Sequence, residues 1–209
     1  MDHKNQVVVI GTLGKEPKFS YISNGVTYYK GMIDVPRLSG NVDRLPIVFP
    51  QMIVEGQKPL SGRTIRVWGE IKTHNRKVGD RMTLVVEIHA DRVEAARDDV
   101  EKNHVELSGV LCRTPTYRVT PFGREISDMV LAINRPDGRR SYIPCIAWGD
   151  TARFVKMMDK GDLLSLVGRM QSREYVKRFD DGSSVKRTTY EVSIVRLLMD
   201  EDGGNGEED

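Results

Sequence analysis

The chain has 209 residues, 39% of them hydrophobic and 30% charged, a balance that fits a folded soluble protein and excludes a disordered polymer. No apolar run approaches the roughly 20 residues that span a membrane, and the opening MDHKNQVVVIG lacks the basic start and cleavage site of a leader, so a cytoplasmic protein with no membrane partner is expected. The net charge of +2 hides an asymmetry: residues 200–209, DEDGGNGEED, hold six acids and no base, which leaves +8 on the other 199 residues and points to a polyanionic partner and a disordered acidic tail.

In chain order, the first finding is that the sequence contains itself twice. With Asn5 set against Asn103, Gly11 meets Gly109, Leu13 meets Leu111, Pro17 meets Pro115, Phe19 meets Tyr117, Gly25 meets Gly123 and Arg37 meets Arg135. Pro46 then meets Pro144, and one inserted residue brings Gly62 to Gly161 and Gly69 to Gly168. A longer insertion sets Arg81 against Arg187 and Ile88 against Ile194. A repeat of about 95 residues is too long for a solenoid unit and suits a small domain. The expected division is a first domain over 1–96, a charged linker over 97–102, a second domain over 103–199 and the tail over 200–209.

The elements are easiest to read in the second copy. Residues 105–109 alternate apolar and polar, as a half-buried strand does. Thr114 and Pro115 break it, and Phe122-Gly123 turns the chain into a strand over 126–133. Pro136, Asp137 and Gly138 turn it again, into the strand YIPCIAW over 142–148. Asp150 and Thr151 can cap a short helix running to Asp159, which Lys160-Gly161 ends. A strand opens at Leu163, Asp180 to Ser183 form a hairpin tip, and a last strand over 188–197 puts Tyr190, Val192 and Ile194 on one face. Five strands with a helix between the third and fourth give an all-β chain of two tandem OB-folds, each a five-stranded Greek-key barrel. In the first copy Gly56 and Pro59 weaken the helix, so a shorter or irregular turn is expected there.

The stretch YIPCIAW, a helix, then LLSLVG followed by Arg169, Arg173 and Tyr175 resembles the central segment of the bacterial single-stranded DNA-binding protein (SSB) family. OB-folds that hold single strands combine cations with exposed aromatic faces on which bases stack. The resemblance places Tyr142, Trp148 and Tyr175 on three stacking positions, with Arg139, Arg140, Arg169, Arg173, Lys177 and Arg178 close by. The final hairpin adds Phe179, Lys186 and Arg187. In the first copy the three aromatics become Arg44, Pro50 and Arg76, leaving two cations that can serve phosphate or lie on a base. Trp68 aligns with Val167 in mid-strand and reads as core or interface. Phe19, Tyr21, Tyr28 and Tyr29 offer a different platform, which the sequence does not decide.

By the same resemblance the chain is a homodimer presenting four OB-folds, nucleoid-associated, and binds single-stranded DNA with little sequence preference in replication, recombination or repair. Family tails end in an acidic tip finishing in Pro-Phe that docks partner proteins. Here the last residues are Glu207, Glu208 and Asp209, which puts replication and repair partners in doubt and fits an accessory protein of a mobile element. Two alternatives stay open: an RNA-binding OB protein, and a primosome-like or adaptor interaction module with weak nucleic-acid binding. His3, His74, His89 and His104 are scattered, with His74 read as a solvated loop residue, and Cys112 and Cys145 read as small buried hydrophobes. With no phosphate-binding loop, nucleophile set or paired acidic motif, no catalytic residue, metal or cofactor is expected, and the chain reads as a non-enzyme.

Overall fold

Alternation of buried and exposed positions marks the strands, and β7 (Asn103–Leu111), inward and outward by turns along its whole length, shows the pattern most plainly. The computed structural model describes residues 4–57, 59–96, 103–178 and 182–198. The first copy holds β1 (Asn5–Leu13), β2 (Lys18–Ser23), β3 (Val26–Pro36), β4 (Val42–Pro50), α1 (Gln51–Gln57), β5 (Thr64–Val78) and β6 (Arg81–Ala95). The second holds β7, β8 (Thr116–Val119), β9 (Glu125–Asn134), β10 (Arg140–Trp148), α2 (Gly149–Val155), β11 (Leu163–Arg178) and β12 (Ser184–Leu198). The expected linker over 97–102, the hairpin residues 179–181 and the acidic tail lie outside the described residues.

In each copy five strands close on themselves. The first barrel runs β1-β3-β4-β6-β5 and back to β1, with β4 and β6 parallel and the other pairs antiparallel. The second runs β7-β9-β10-β12-β11 and back to β7. This is the OB-fold, twice. Leu13, Ile33, Leu45, Ile47, Phe49, Ile65 and Ile88 fill one interior; Leu107, Leu111, Leu131, Ile133, Ile143 and Leu166 fill the other. Each such side chain contributes about 1.5–3 kcal/mol by leaving water.

Repeated residues do repeated work. The Asn5 amide donates to the Ile71 carbonyl (2.9 Å) and accepts from its N–H (3.0 Å); Asn103 does the same with Met170 (2.7 and 2.9 Å). Gly69 and Gly168 sit where β5 and β11 shift register beside β6 and β12. A Cβ at Gly69 would lie 2.0 Å from the His89 carbonyl oxygen, and one at Gly168 would lie 2.7 Å from that of Ser193, so the backbones meet too closely for any side chain.

The structure differs from the sequence reading in several places. Each copy has a sixth strand, β2 or β8, laid on the outer edge of β3 or β9. Prolines bracket β8 and hide it from periodicity, but cross-strand pairs hold it: Tyr117 donates to Glu125, and Arg118 reaches Asp128 at 2.9 Å. Helix α1 is as long as α2, because Gly56 is tolerated in its last turn and Pro59 falls beyond it. Helix α2 ends at Val155 rather than Asp159; its cap position is Trp148, without a side-chain bond, and Asp150 pairs with Arg153 instead. In the last strands Val48 pairs with His89 and Ile146 with Ser193, so Ile88 corresponds to Val192 rather than Ile194. A slip of two keeps the same face, and alternation cannot detect it.

The two copies join by antiparallel pairing of β1 with β7, centred on Val7 opposite Val105. Those residues are equivalent, so the junction is two-fold in pattern and the twelve strands form one continuous sheet. Long hairpins reinforce it. Thr73 Oγ1 on β5 accepts from the Tyr142 N–H (2.6 Å), and the equivalent Ser172 Oγ on β11 accepts from the Arg44 N–H (3.2 Å).

Candidate nucleic-acid interface

On β10 the odd positions Ser141, Ile143, Cys145 and Ala147 point into the barrel. The even positions carry Arg140, Tyr142, Pro144 and Trp148 along the outer face. Tyr142 is 44% exposed and Trp148 38%, so neither is a core residue. The Trp148 indole N–H donates to Ser193 Oγ at 3.1 Å, which fixes the ring while leaving it open to solvent. Arg169, exposed on β11, lies directly opposite Ser193 in the sheet. Tyr142 borders a shallow cleft of about 450 Å³ shared with Arg140, Lys160 and Cys112. Cys112 is thus half-buried rather than buried, its thiol raised chiefly by burial; Cys145 is fully buried and raised further.

Tyr175, 40% exposed, lines a different cleft. This one, also about 450 Å³, lies between the β5–β6 and β11–β12 hairpins and includes Pro46 and Pro144, equivalent residues of the two copies. It therefore sits on the local two-fold, and Arg76 and Tyr175 face it from opposite sides. Two positions assigned to separate copies share one cleft, joined there by Lys30, Arg187 and Tyr190. The phenol of Tyr190 is raised mainly by burial, with the Arg44 charge opposing.

The remaining cations divide into engaged and open. Arg44 pairs with Asp34 at 2.8 Å, and that bond raises its pKa. Arg173 reaches the buried Glu191 at 3.3 Å, Glu191 also accepting from Gln171 at 2.9 Å. Arg140 Nε donates to Asn134 at 3.0 Å. Lys186 pairs with Glu174. Arg139 and Arg169 make no ion pair among the described residues. Lys177 and Arg178 continue β11, but their side chains, like Phe179, lie outside the described residues.

Sequence reasoning aligned Arg37 with Arg135 and passed over their difference. Arg37 grips Asp43 through Nε (2.6 Å), and Asp43 also accepts from the Ser172 N–H of the other copy (2.7 Å). Ser141 stands in the place of Asp43. Arg135 turns instead to Asp137 (2.6 Å), leaving its Nε and the Ser141 Oγ, both buried, without hydrogen-bond partners among the described residues. Trp68 is not a buried core residue: it is half-buried on β5, with Arg92 3.7 Å and Arg66 5.6 Å from its ring centre. His74 lies on β5 rather than in a loop. Of the alternative first-copy platform, Tyr29 packs against the core and Phe19 is exposed on β2, while Tyr21 and Tyr28 stack with ring centres 4.8 Å apart. No group of residues among those described could hold a metal ion, and no helix among them is long and apolar enough to cross a membrane.

Comparison with known proteins matches this geometry to relatives. Residues 102–200 match the Single-strand binding protein family. Single-stranded DNA-binding protein 3 of Listeria innocua is 32% identical over 111 residues, covering 50% of this chain and 68% of its own length. The single-stranded DNA-binding protein of Deinococcus radiodurans is 24% identical over 228 residues, covering 93% of this chain and 75% of its own, so its likeness extends through both copies. The crystal structure of the wild-type single-stranded DNA binding protein from Thermus aquaticus shares the fold, with a TM-score of 0.75 and 24% identity over 95% of this chain and 93% of that one. The chain belongs to the single-strand binding protein family.

Proposed function

We propose that this chain binds single-stranded DNA with little sequence preference and shields exposed strands during replication, recombination or repair. The observation that carries the reading is the exposure of Tyr142, Trp148 and Tyr175 on the outer surface of one barrel, against Arg140, Lys160, Arg169 and Arg187. Aromatic faces stack on any base, and the cations neutralise phosphate, so the combination favours unpaired strands without reading their sequence. Arg44 and Arg173, already engaged by carboxylates, contribute to the field more than to direct contact. Two chains pair to present four barrels, a state expected at twice the 23.7 kDa chain mass in sedimentation.

The test is a titration with labelled single-stranded DNA, its duplex and the matching RNA, followed by tryptophan emission. Tight single-strand binding with quenching that disappears in Trp148→Phe and survives in Trp68→Phe is expected. Equal affinity for duplex and single strand would overturn the reading, and a preference for the RNA would change its ligand.

A further inference from the structure

The loss of the first copy's tryptophan position conceals a transfer. In the second copy Trp148 on β10 pairs across the sheet with Ile126 on β9. The equivalent pair in the first copy is Pro50 on β4 with Tyr28 on β3. Each pair has one aromatic ring, but on opposite strands. The surroundings match as well. Trp148 bonds to Ser193, and Tyr28 lies 6.4 Å ring to ring from His89, the residue that corresponds to Ser193 by the β4–β6 and β10–β12 registers. Directly opposed residues share a face of a sheet, so an aromatic surface persists at this place although the aligned residue is a proline.

Tyr28 does not stand alone. Tyr21 on β2 stacks on it at 4.8 Å with 22° between the rings, and Tyr21 is 36% exposed. The pair forms one wall of a cleft of about 670 Å³, larger than the two described above, whose other wall belongs to the second copy and carries Arg135 and Arg139. Arg135 lines the cleft with its guanidinium bonded to Asp137, and its Nε is buried without a partner among the described residues, a consequence of Ser141 standing where Asp43 grips Arg37. Arg139 makes no ion pair among the described residues. Lys72 adds a third cation from β5, held by Glu70 at 2.6 Å. Two acids also line the cleft, and both are engaged: Glu87 is buried against Lys30, and Asp137 accepts from Arg135 and from the Arg139 N–H. His89 stays neutral and offers a further flat face.

We propose that the cleft between the two copies is a second nucleotide subsite, in which a base of the bound single strand stacks on Tyr21 and Tyr28 of the first copy and its phosphate rests on Arg135 and Arg139 of the second. The subsite rests on the single-strand reading above and extends it, because the strand would then engage both copies at once. Neither copy supplies the subsite without the other.

The experiment uses the full chain and two oligothymidylates: one of about 8 nucleotides, within the range one OB-fold holds, and one of about 30, which reaches both copies. Tyr21→Ala with Tyr28→Ala weakens the long oligomer about tenfold, in line with ordinary base stacking. It leaves the short one, held by Tyr142 and Trp148, unchanged. Tyr21→Phe with Tyr28→Phe restores the long-oligomer affinity, because the faces and not the hydroxyls are used. Photocrosslinking with bromodeoxyuridine in the long oligomer labels the peptide containing Tyr21 or Tyr28. Unchanged binding of both oligomers with no such crosslink overturns the subsite, and if Tyr142→Ala still weakens both, the single-strand reading survives it. An equal loss on both oligomers with an unchanged melting temperature also overturns it. Should the double alanine variant melt early, the photocrosslink on the wild-type chain decides, since it needs no substitution. A wild-type chain with no preference for single strands removes both readings together.

Discussion

The two copies share a scaffold and differ in what they do with it. Asn5 and Asn103 bridge the same backbone groups, and Gly69 and Gly168 make the same close approach. Against that constancy, Asp43 becomes Ser141, Pro50 becomes Trp148 and Arg76 becomes Tyr175. Residues whose geometry closes the barrel are fixed by it, while Trp148 and Tyr175 stand on exposed positions that are free to change chemistry, and of the three changes only that at 141 is buried. The first copy sets Asp43 against Arg37 and Asp34 against Arg44, while the second exposes aromatic faces and turns Arg135 to Asp137, with its buried Nε unpartnered among the described residues.

The scaffold half of the comparison breaks most severely at the glycines. Gly69→Ala puts a methyl 2.0 Å from the His89 carbonyl oxygen and is expected to lower stability by about 3 kcal/mol or more, as forced overpacking does. Gly168→Ala meets the Ser193 carbonyl at 2.7 Å and loses about 2 kcal/mol. Urea denaturation ranks them, and a reversed order would show that the two contacts are not of one kind.

The chemical half is read by affinity. Tyr142→Ala with Tyr175→Ala is expected to weaken single-strand binding about a hundredfold, at roughly 1–3 kcal/mol per stacked base. Arg44→Ala with Arg76→Ala weakens it only a few-fold. It lowers the slope of log affinity against log salt by about 0.7, one phosphate contact, because Arg44 is held by Asp34 and only Arg76 is released to the strand. Equal losses from the two pairs would erase the asymmetry between the copies.

Acid separates them more gently. Burial, helped by the Lys72 and Arg135 charges, lowers His89 to about 3. The Glu87 carboxylate 3.9 Å away is engaged by Lys30 and does not reverse this. The unfolded chain therefore binds a proton near pH 6.5 that the folded chain refuses. Stability from this residue is complete above pH 6.5, falls by about 2 kcal/mol by pH 5, and goes on falling toward pH 3. His89→Ser, which installs the second copy's residue, removes that loss. Denaturation midpoints at pH 7 and pH 5 test it, and an equal acid loss in the variant would discard the explanation.

Much of this was legible beforehand. The repeat, the glycine pairs and the barrel order are written in covalent sequence, and two short insertions are enough to align them. Tyr142, Trp148 and Tyr175 could be named because their neighbours resemble a known family, and the structure leaves all three exposed. What escaped depends on which strand lies opposite. Tyr28 gains its setting from Pro50 and His89, distant in sequence, and Arg135 loses a partner because of position 141. Trp68 looked like core because an aromatic in mid-strand reads as apolar, whereas two arginines cover its faces. Strand β8 is too short, and too enclosed by prolines, for periodicity to find.

The cleft on the local two-fold has one more consequence. Two identical subunits meeting about such an axis would offer a strand the same surface in both directions, and 5′-to-3′ travel would be energetically equal to its reverse. Here one side of the axis carries Arg76 and the other Tyr175. A polynucleotide crossing the cleft meets charge before ring in one direction and ring before charge in the other. Joining the two copies in one chain therefore makes the two sides of this axis chemically unequal.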